Sequence, residues 1–489
     1  MQALLIATLL ALALPCAVAA PALRDDVLPA PVAAALAQAG LPDDALAAIA
    51  LPLTTRWARP WQFRATQAMA PGSTMKLVTS IVALDRLGPN HRGRTELLAA
   101  GTIEGELLAG DLVLKGGADP DLDLPALWQM LWQLRQRGVR EIAGDVLLDR
   151  TLFRPTRIDL GLPPFDEAPE WPYNVIPDAL MLSGNLMGLA LTSSSSGVQA
   201  HLSPPLEGIE LDASAMTLTE APCADWADGW LPALIDAAPE ARFRIGLRGG
   251  FPRRCDATAE LQLLDRNVIA ERQVRAVWLS LGGAWRKTPG GVREAPTPID
   301  ATPIASHASR PWGEVLRQMN KQSDNAHTRL LFLQLGLAAM GRDPNTPTLA
   351  LAQREVERWF DEQRIPRDGL VLDNGSGLSR SERIAPRTLA LMLKAAHAGK
   401  HAPELLMSLP VAGVDGTMRR RLKGTPAEGW ARLKTGTLKN VVALAGYVRD
   451  SRGDTWVVVA MLNHDQAATG RPALDALIEW VAKSGARWR

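Results

Sequence analysis

The sequence predicts an α/β domain that is split by a large β-rich insertion. Helical periodicity and strand-like runs occur near both ends of the chain, whereas short alternating segments separated by Gly, Pro and Asp fill its middle. We place the insertion at residues 96–304, as one or two subdomains, and the principal domain at residues 21–95 and 305–489. With 489 residues, of which 47% are hydrophobic, the chain has enough apolar material to bury cores in both parts.

The elements follow in chain order. Before the insertion we predict a helix over 31–39, a strand over 45–55 and a helix over 74–87, the last bounded by Pro71-Gly72 and Gly88-Pro89. Within the insertion we predict strands over 106–115, 141–148 and 242–247 and helices over 125–137 and 267–281. From Trp312 helices dominate, one of them over 327–337, until three strands over 430–435, 441–449 and 455–462 and a helix over 472–482.

Charge and composition exclude some classes of function. The chain has 53 Lys and Arg residues and 52 Asp and Glu residues, a net charge of +1. It therefore lacks the excess of positive charge that is typical of proteins that bind nucleic acid or anionic membranes. The seven histidines are scattered, and no Cys/His cluster has the spacing of a metal site. We therefore expect neither a metal ion nor a cofactor.

The N-terminus predicts export. An uncharged apolar run over residues 3–14 precedes the small-residue stretch Ala17-Val18-Ala19, a pattern typical of a signal peptide cleaved after residue 20. The run is too short to span a bilayer, so we expect no transmembrane anchor after cleavage. An unprocessed N-terminal helix is the alternative. In an oxidising compartment Cys223 and Cys255 could form a disulfide, although two buried thiols fit the sequence nearly as well.

Three short patterns carry the chemistry. Ser73-Thr74-Met75-Lys76 is an S-x-x-K, Ser323-Asp324-Asn325 is an S-x-N, and Lys434-Thr435-Gly436 is a K-T-G. S-x-x-K and S-x-N are common enough to arise by chance, as a second S-x-N at Ser183-Gly184-Asn185 shows, whereas K-T-G is rarer and occurs once. Their occurrence together and in this order is typical of serine acyl-transfer enzymes that act on D-alanyl peptides and β-lactams.

The first pattern supplies a nucleophile and a base. Ser73 begins a predicted helix, and Lys76 lies three residues later on the same face, close to the hydroxyl that it would deprotonate. Burial and a second cation, for which Lys434 is the candidate, would lower the pKa of Lys76 enough for this role. The alternative is a capping serine followed by a solvated lysine.

The other two patterns surround that pair. We expect Ser323 to relay a proton and Asn325 to hold a substrate amide, although this loop could serve only as a helix cap. Lys434 and Thr435 would hold a terminal carboxylate, on a strand that could otherwise be an ordinary surface strand. Gly436 would let the substrate approach, and the Thr437 amide would complete an oxyanion hole with the Ser73 amide.

Around these patterns the sequence resembles a known family, the class C low-molecular-mass penicillin-binding proteins, which are D-alanyl-D-alanine carboxypeptidases and endopeptidases with a large insertion. The resemblance is carried by residues 71–79, 110–120, 373–380, 409–417 and 434–446. Some relatives place an acidic residue of the insertion near the catalytic lysine, and the alignment puts Ser183 around that position. We assign residues 373–379 a mainly structural role.

The resemblance implies a transpeptidase-like or β-lactamase-like α/β (α+β) fold, with an antiparallel sheet flanked by helices. It implies a periplasmic hydrolase that releases the terminal D-alanine of peptidoglycan stem peptides, is acylated by penicillins, and is able to cut D-alanyl-diaminopimelyl cross-links. A homodimer is a separate expectation. A serine β-lactamase is one alternative, but in such enzymes the spacing between the S-x-x-K and S-D-N serines is far shorter than the 250 positions from Ser73 to Ser323. A catalytically silent wall-binding scaffold is the other.

Overall fold

The computed structural model describes residues 24–25, 27–53, 59–239, 241–287, 292–341 and 343–484. The predicted leader over residues 1–20 lies outside them. None of the helices in these ranges is both long and apolar enough to cross a membrane.

The described residues alternate between helices and strands along the chain. The helices are α1 (Ala30–Gln38), α2 (Lys76–Arg86), α3 (Leu124–Gln136), α4 (Arg266–Ser280), α5 (Trp312–Gln322), α6 (Asn325–Met340), α7 (Thr348–Glu362), α8 (Pro386–Ala398), α9 (Ala402–Ser408) and α10 (Arg471–Ser484). The strands are β1 (Arg24–Asp25), β2 (Leu46–Pro52), β3 (Trp61–Phe63), β4 (Arg94–Glu104), β5 (Leu107–Gly117), β6 (Glu141–Ile142), β7 (Val146–Asp149), β8 (Met187–Ser194), β9 (Gly197–Leu202), β10 (Ile209–Asp212), β11 (Met216–Thr219), β12 (Trp230–Ala238), β13 (Arg242–Pro252), β14 (Asp256–Leu261), β15 (Ala284–Trp285), β16 (Arg293–Glu294), β17 (Thr302–Ala308), β18 (Arg432–Leu438), β19 (Val441–Arg449) and β20 (Thr455–Asn463).

A six-stranded sheet joins the two ends of the chain, with strand order β1-β3-β2-β20-β19-β18. Its pairings are antiparallel except between β1 and β3. Alternate residues of β19 and β20 enter two different cores, one with α2 and α5–α8 and the other with α1 and α10. Because both faces are covered, these strands appear in the sequence as continuous apolar runs. The predicted antiparallel sheet flanked by helices is confirmed.

Helix α2 passes through the first of these cores. Its residues 76–84 are all buried, and a 3₁₀ turn over Gly72–Met75 leads into it. The predicted helix over 74–87 is therefore correct in position, but Ser73 lies in the tighter turn that precedes the α-helix. Burying a charged lysine at the first position of this helix costs free energy unless the ammonium group is paired and hydrogen-bonded.

Three further sheets occupy the middle of the chain. A seven-stranded sheet has the order β15-β6-β5-β4-β17, with β7 between β5 and β16; β14-β8-β9 forms a second sheet, and β10, β11 and β12 pair with β13 in a third. Cys223 and Cys255 form a disulfide with their Cα atoms 5.3 Å apart. We propose to retain the division at residues 96–304, which the pairing of β4 with β17 supports because it brings residues 94–99 beside 302–308.

The prediction of one continuous strand over residues 141–148 is wrong. The structure has β6 and β7 instead, which pair with different parts of β5. Between them a Cβ on Gly144 would lie 2.3 Å from the Gly110 carbonyl oxygen, and the Asp145 amide donates to the Asp111 side chain over 2.8 Å. This local packing interrupts the ladder.

Candidate active site

Ser73 projects from the 3₁₀ turn where β18 packs against it. A Cβ on Gly436 would lie 2.4 Å from the Pro71 carbonyl oxygen and 3.2 Å from the Ser73 nitrogen. A Cβ on Gly72 would lie 3.1 Å from the Thr437 nitrogen. The absence of side chains at these two positions therefore brings the amides of Ser73 and Thr437 to the same junction, beside the half-buried Ser73 side chain.

Lys76 is the centre of the site. Its side chain is fully buried, and its Nζ lies 3.1 Å from Ser73 Oγ, 2.5 Å from Asn325 Oδ1 and 2.5 Å from the Ser376 carbonyl oxygen. Three oxygens thus surround one nitrogen, an arrangement that holds the amine in a single orientation towards Ser73. The structure brings together the two predicted catalytic residues of the first pattern and Asn325 of the second.

Burial lowers the pKa of Lys76 to about 7, while the nearby carboxylates of Asp324 and Glu382 raise it and the Arg329 guanidinium lowers it. Arg329 is thus a cation near Lys76 that the sequence did not single out, and the role of Lys434 as the second cation stays a prediction. Burial also lowers the pKa of Lys434 well below its ordinary value, and Lys76 lowers it further. Some relatives have an acidic residue of the insertion near the catalytic lysine. Here both acidic neighbours of Lys76, Asp324 and Glu382, lie outside the insertion.

Ser323 and Asn325 are positioned by the break between α5 and α6. Ser323 has a φ of +64°, in the left-handed region, and Asp324 caps α6 by accepting a hydrogen bond from the His327 amide over 2.9 Å. The Asn325 Nδ2 donates to the Tyr173 carbonyl over 2.9 Å, which orients its Oδ1 towards Lys76. The predicted helix cap is present, and it presents both side chains to the site.

Strand β18 contributes the third pattern. Lys434 is fully buried and donates from Nζ to Ser323 Oγ over 2.8 Å and to the Thr435 carbonyl over 3.0 Å. The hydroxyls of Thr435 and Thr417 lie 2.8 Å apart. β18 is the last strand of its sheet, so within the described residues its outer edge has only an isolated bridge between Arg432 and Val411.

The sequence did not identify the loop over residues 373–377 as part of the site. Its backbone amides at 373, 374, 375 and 377 donate to the buried carboxylate of Glu382. This holds the loop so that the Ser376 carbonyl accepts from Lys76. The structural role that we assigned to 373–379 is compatible with this contact. No residue type marks the Ser376 carbonyl in the sequence, because every residue has a carbonyl group. The resemblance of this loop to the family was the only sequence signal for its role.

A cleft of about 1110 Å³ opens beside Ser323 and Asn325 and is also lined by Tyr173, Ser183 and His307. Ser183 has a φ of +48°, and its amide donates to the Leu122 carbonyl over 2.8 Å. The structure therefore places Ser183 in the cleft wall. Across the described ranges, no group of three or more His, Cys, Asp and Glu side chains is arranged to hold a metal ion.

Comparison with known proteins gives consistent matches. The sequence profile of the D-Ala-D-Ala carboxypeptidase 3 (S13) family matches residues 28–484. The D-alanyl-D-alanine carboxypeptidase of Actinomadura sp. (strain R39) is 30% identical over 402 residues, which cover 79% of this chain and 72% of that protein. The crystal structure of penicillin binding protein 4 (dacB) from Haemophilus influenzae superposes with a TM-score of 0.72 at 24% identity, covering 92% of this chain and 97% of that one. The same protein complexed with a β-lactam gives a TM-score of 0.70 at 23% identity, over 92% and 99% of the chains.

Proposed function

Because this chain belongs to the D-Ala-D-Ala carboxypeptidase 3 (S13) family, it is a serine-type D-Ala-D-Ala peptidase, and we propose that its reaction proceeds through an acyl-enzyme on Ser73. The observation that carries this proposal is the contact of 3.1 Å between Ser73 Oγ and the buried Lys76, whose pKa of about 7 leaves much of the amine neutral at neutral pH. A neutral amine at hydrogen-bond distance can accept the serine proton.

The first step forms the acyl-enzyme. Lys76 takes the Ser73 proton as Oγ attacks the carbonyl between two D-alanines, and the amides of Ser73 and Thr437 stabilise the resulting oxyanion. The C–N bond then breaks, and the proton reaches the leaving amine through Lys76 and Ser323. Water next attacks the ester, which releases the shortened peptide and restores the Ser73 hydroxyl.

The substrate lies along β18 in this proposal. An extended peptide can pair with the outer edge of the strand, as other peptides do when they add to a sheet. Thr435 and Lys434 are at the end of the site where the terminal carboxylate would be, with Gly436 leaving room for the backbone. Asn325 accepts from Lys76 through Oδ1 and donates to the Tyr173 carbonyl through one N–H of Nδ2, which leaves the second N–H to contact a substrate amide in the cleft.

The same site can also react with β-lactams and with peptidoglycan cross-links. A β-lactam presents a strained amide to Ser73, and ring opening leaves an acyl ester on this serine; the β-lactam complex of the Haemophilus influenzae protein supports this proposal. We propose that the chain acts on peptidoglycan in the periplasm after signal-peptide cleavage and also cuts D-alanyl-diaminopimelyl cross-links. A homodimer stays a prediction that light scattering can test.

The test is acylation by benzylpenicillin, followed by intact mass. We expect one adduct per chain and D-alanine release from a pentapeptide that ends in D-Ala-D-Ala. Ser73→Ala should show neither, whereas Ser451→Ala, a remote serine, should behave as the wild type. Rapid loss of penicillin without an adduct would indicate a serine β-lactamase. Neither adduct nor turnover would indicate a silent scaffold.

A further inference from the structure

The outward face of helix α3 has an unusual composition. The exposed positions of this helix are 125, 128, 129, 132, 133 and 136, which are Pro, Trp, Gln, Trp, Gln and Gln. None of them is charged. The exposed positions of α7, by contrast, are Arg354, Arg358, Asp361 and Glu362, as is usual for the solvent side of a helix. Contact with solvent alone therefore does not explain why this face consists of tryptophan and glutamine.

The two tryptophans form a stacked pair. The ring centroids of Trp128 and Trp132 lie 5.5 Å apart with an angle of 6° between the rings, and each side chain is 42% exposed. Offset stacking is a favoured arrangement for aromatic rings, and it fixes the orientation of both rings. Large aromatic surfaces left open to water commonly mark binding sites.

The face is rigidly supported. Leu127, Met130, Leu131 and Leu134 on the opposite side of α3 are buried in the core of the seven-stranded sheet. Asp123 caps the helix by accepting a hydrogen bond from the Ala126 amide over 2.8 Å. A ligand on this face would therefore meet side chains whose backbone is already ordered, which lowers the entropic cost of binding.

The face is also continuous with the cleft beside Ser323 and Asn325. Pro125, Ala126 and Gln129 line the same cleft as Ser323 and Asn325. Trp128 lies between these residues in the helix, and Trp132 follows one turn later. A polymer whose peptide branch lies in the cleft would thus have its main chain close to the Trp–Gln face. This continuity selects one occupant among those that an aromatic surface could bind.

We propose that the Trp–Gln face of α3 binds the glycan chain of peptidoglycan. Pyranose rings present a face of C–H bonds that packs on indole rings, and the hydroxyl and acetamido groups around that face can exchange hydrogen bonds with the glutamine amides. The uncharged surface suits the sugar backbone, which carries its charge on the lactyl and peptide groups. The proposal rests on the proposed function for the choice of polymer, and it adds a second contact with the same substrate.

The test uses peptide-free glycan strands of alternating N-acetylglucosamine and N-acetylmuramic acid, prepared from sacculi with an amidase. We expect the double variant Trp128→Ala/Trp132→Ala to bind them about tenfold more weakly by titration calorimetry, a loss of about 1.4 kcal/mol. It should release D-alanine from a soluble pentapeptide at the wild-type rate but from intact sacculi several-fold more slowly. Trp430→Ala is the matched control, since this tryptophan is 58% exposed and lies on another part of the surface.

The outcomes separate this inference from the proposed catalysis. Ser73→Ala should bind glycan strands normally, so a protein without acylation activity would still give a valid result. Wild-type affinity in the double variant, or an equal loss in Trp430→Ala, would overturn the inference. A change in oligomeric state of the double variant would instead identify the face as a contact between two copies of the chain, and would overturn it as well.

Discussion

Lys76 Nζ and Asn325 Oδ1 lie 2.5 Å apart although the two residues are separated by 249 positions in the chain. This contact joins the buried helix α2 to the start of α6. Asn325 is itself held by the Tyr173 carbonyl, so an amide from one element and a carbonyl from another determine where the amine points. Three segments that are distant in the sequence therefore determine the orientation of the Lys76 amine.

The rate of acylation should depend on the protonation of Lys76. Because its pKa is lowered to about 7, the neutral amine is lost as the pH falls. We expect the second-order rate with benzylpenicillin to rise about tenfold per pH unit below that value and to level off above it. Asn325→Asp would place a carboxylate against the amine, which raises the pKa of Lys76 and moves the profile to higher pH. An unchanged profile in this variant would contradict the assignment of Lys76 as the base.

The same pKa shift should appear in the pH dependence of stability. Between pH 7 and about 10.5 the unfolded chain binds a proton on Lys76 that the folded protein has released, so the stability of the folded state rises with pH in this range. Lys76→Met removes this group. The Tm of the wild type relative to Lys76→Met should therefore increase from pH 7 to pH 9.5. A constant difference would mean that the pKa of Lys76 is not lowered.

Gly436→Ala should disable the site while the rest of the fold remains. The added Cβ would lie 2.4 Å from the Pro71 carbonyl oxygen and must push β18 away from the Ser73 turn. A displacement of about 1 Å at an active site can cost about 100-fold in rate, and we expect a loss of that order in acylation. Gly341→Ala is the control because nothing lies within 4 Å of its added Cβ. Equal acylation in the two variants would contradict the proposed packing.

Glu382→Gln tests the loop that holds Lys76 from its far side. The buried carboxylate accepts hydrogen bonds from four backbone amides, including the Gly375 amide over 2.7 Å and the Gly377 amide over 2.9 Å. A glutamine offers one acceptor fewer and a donor that faces those amides. We expect a loss of at least about 2 kcal/mol in the free energy of unfolding, together with slower acylation. Glu362→Gln, which removes a half-exposed partner of Arg86, should cost less than about 1 kcal/mol.

If Glu382→Gln were as stable as the wild type, the loop would not depend on that carboxylate. If it were destabilised but acylated at the normal rate, the Ser376 carbonyl would have no part in orienting Lys76. Urea unfolding and benzylpenicillin acylation on the same preparations distinguish these cases.

The sequence by itself determined the regular elements and the identity of the reactive side chains. Local patterns are sufficient for these: periodicity gave helices such as α2 and α10, continuous apolar runs gave β19 and β20, and the three short patterns named Ser73, Lys76 and Lys434. Such signals depend on residues that are neighbours in the chain, so no knowledge of distant contacts is required.

Only the tertiary structure decided what surrounds those side chains. The Ser376 and Tyr173 carbonyls leave no mark in the sequence, because every residue has one. Arg329 lowers the pKa of Lys76 although no pattern in the sequence links the two residues, because charge effects depend on distances across the folded protein and on burial. Likewise, the spacing of Cys223 and Cys255 allowed two readings, and only the separation of 5.3 Å between their Cα atoms distinguishes a disulfide from two thiols.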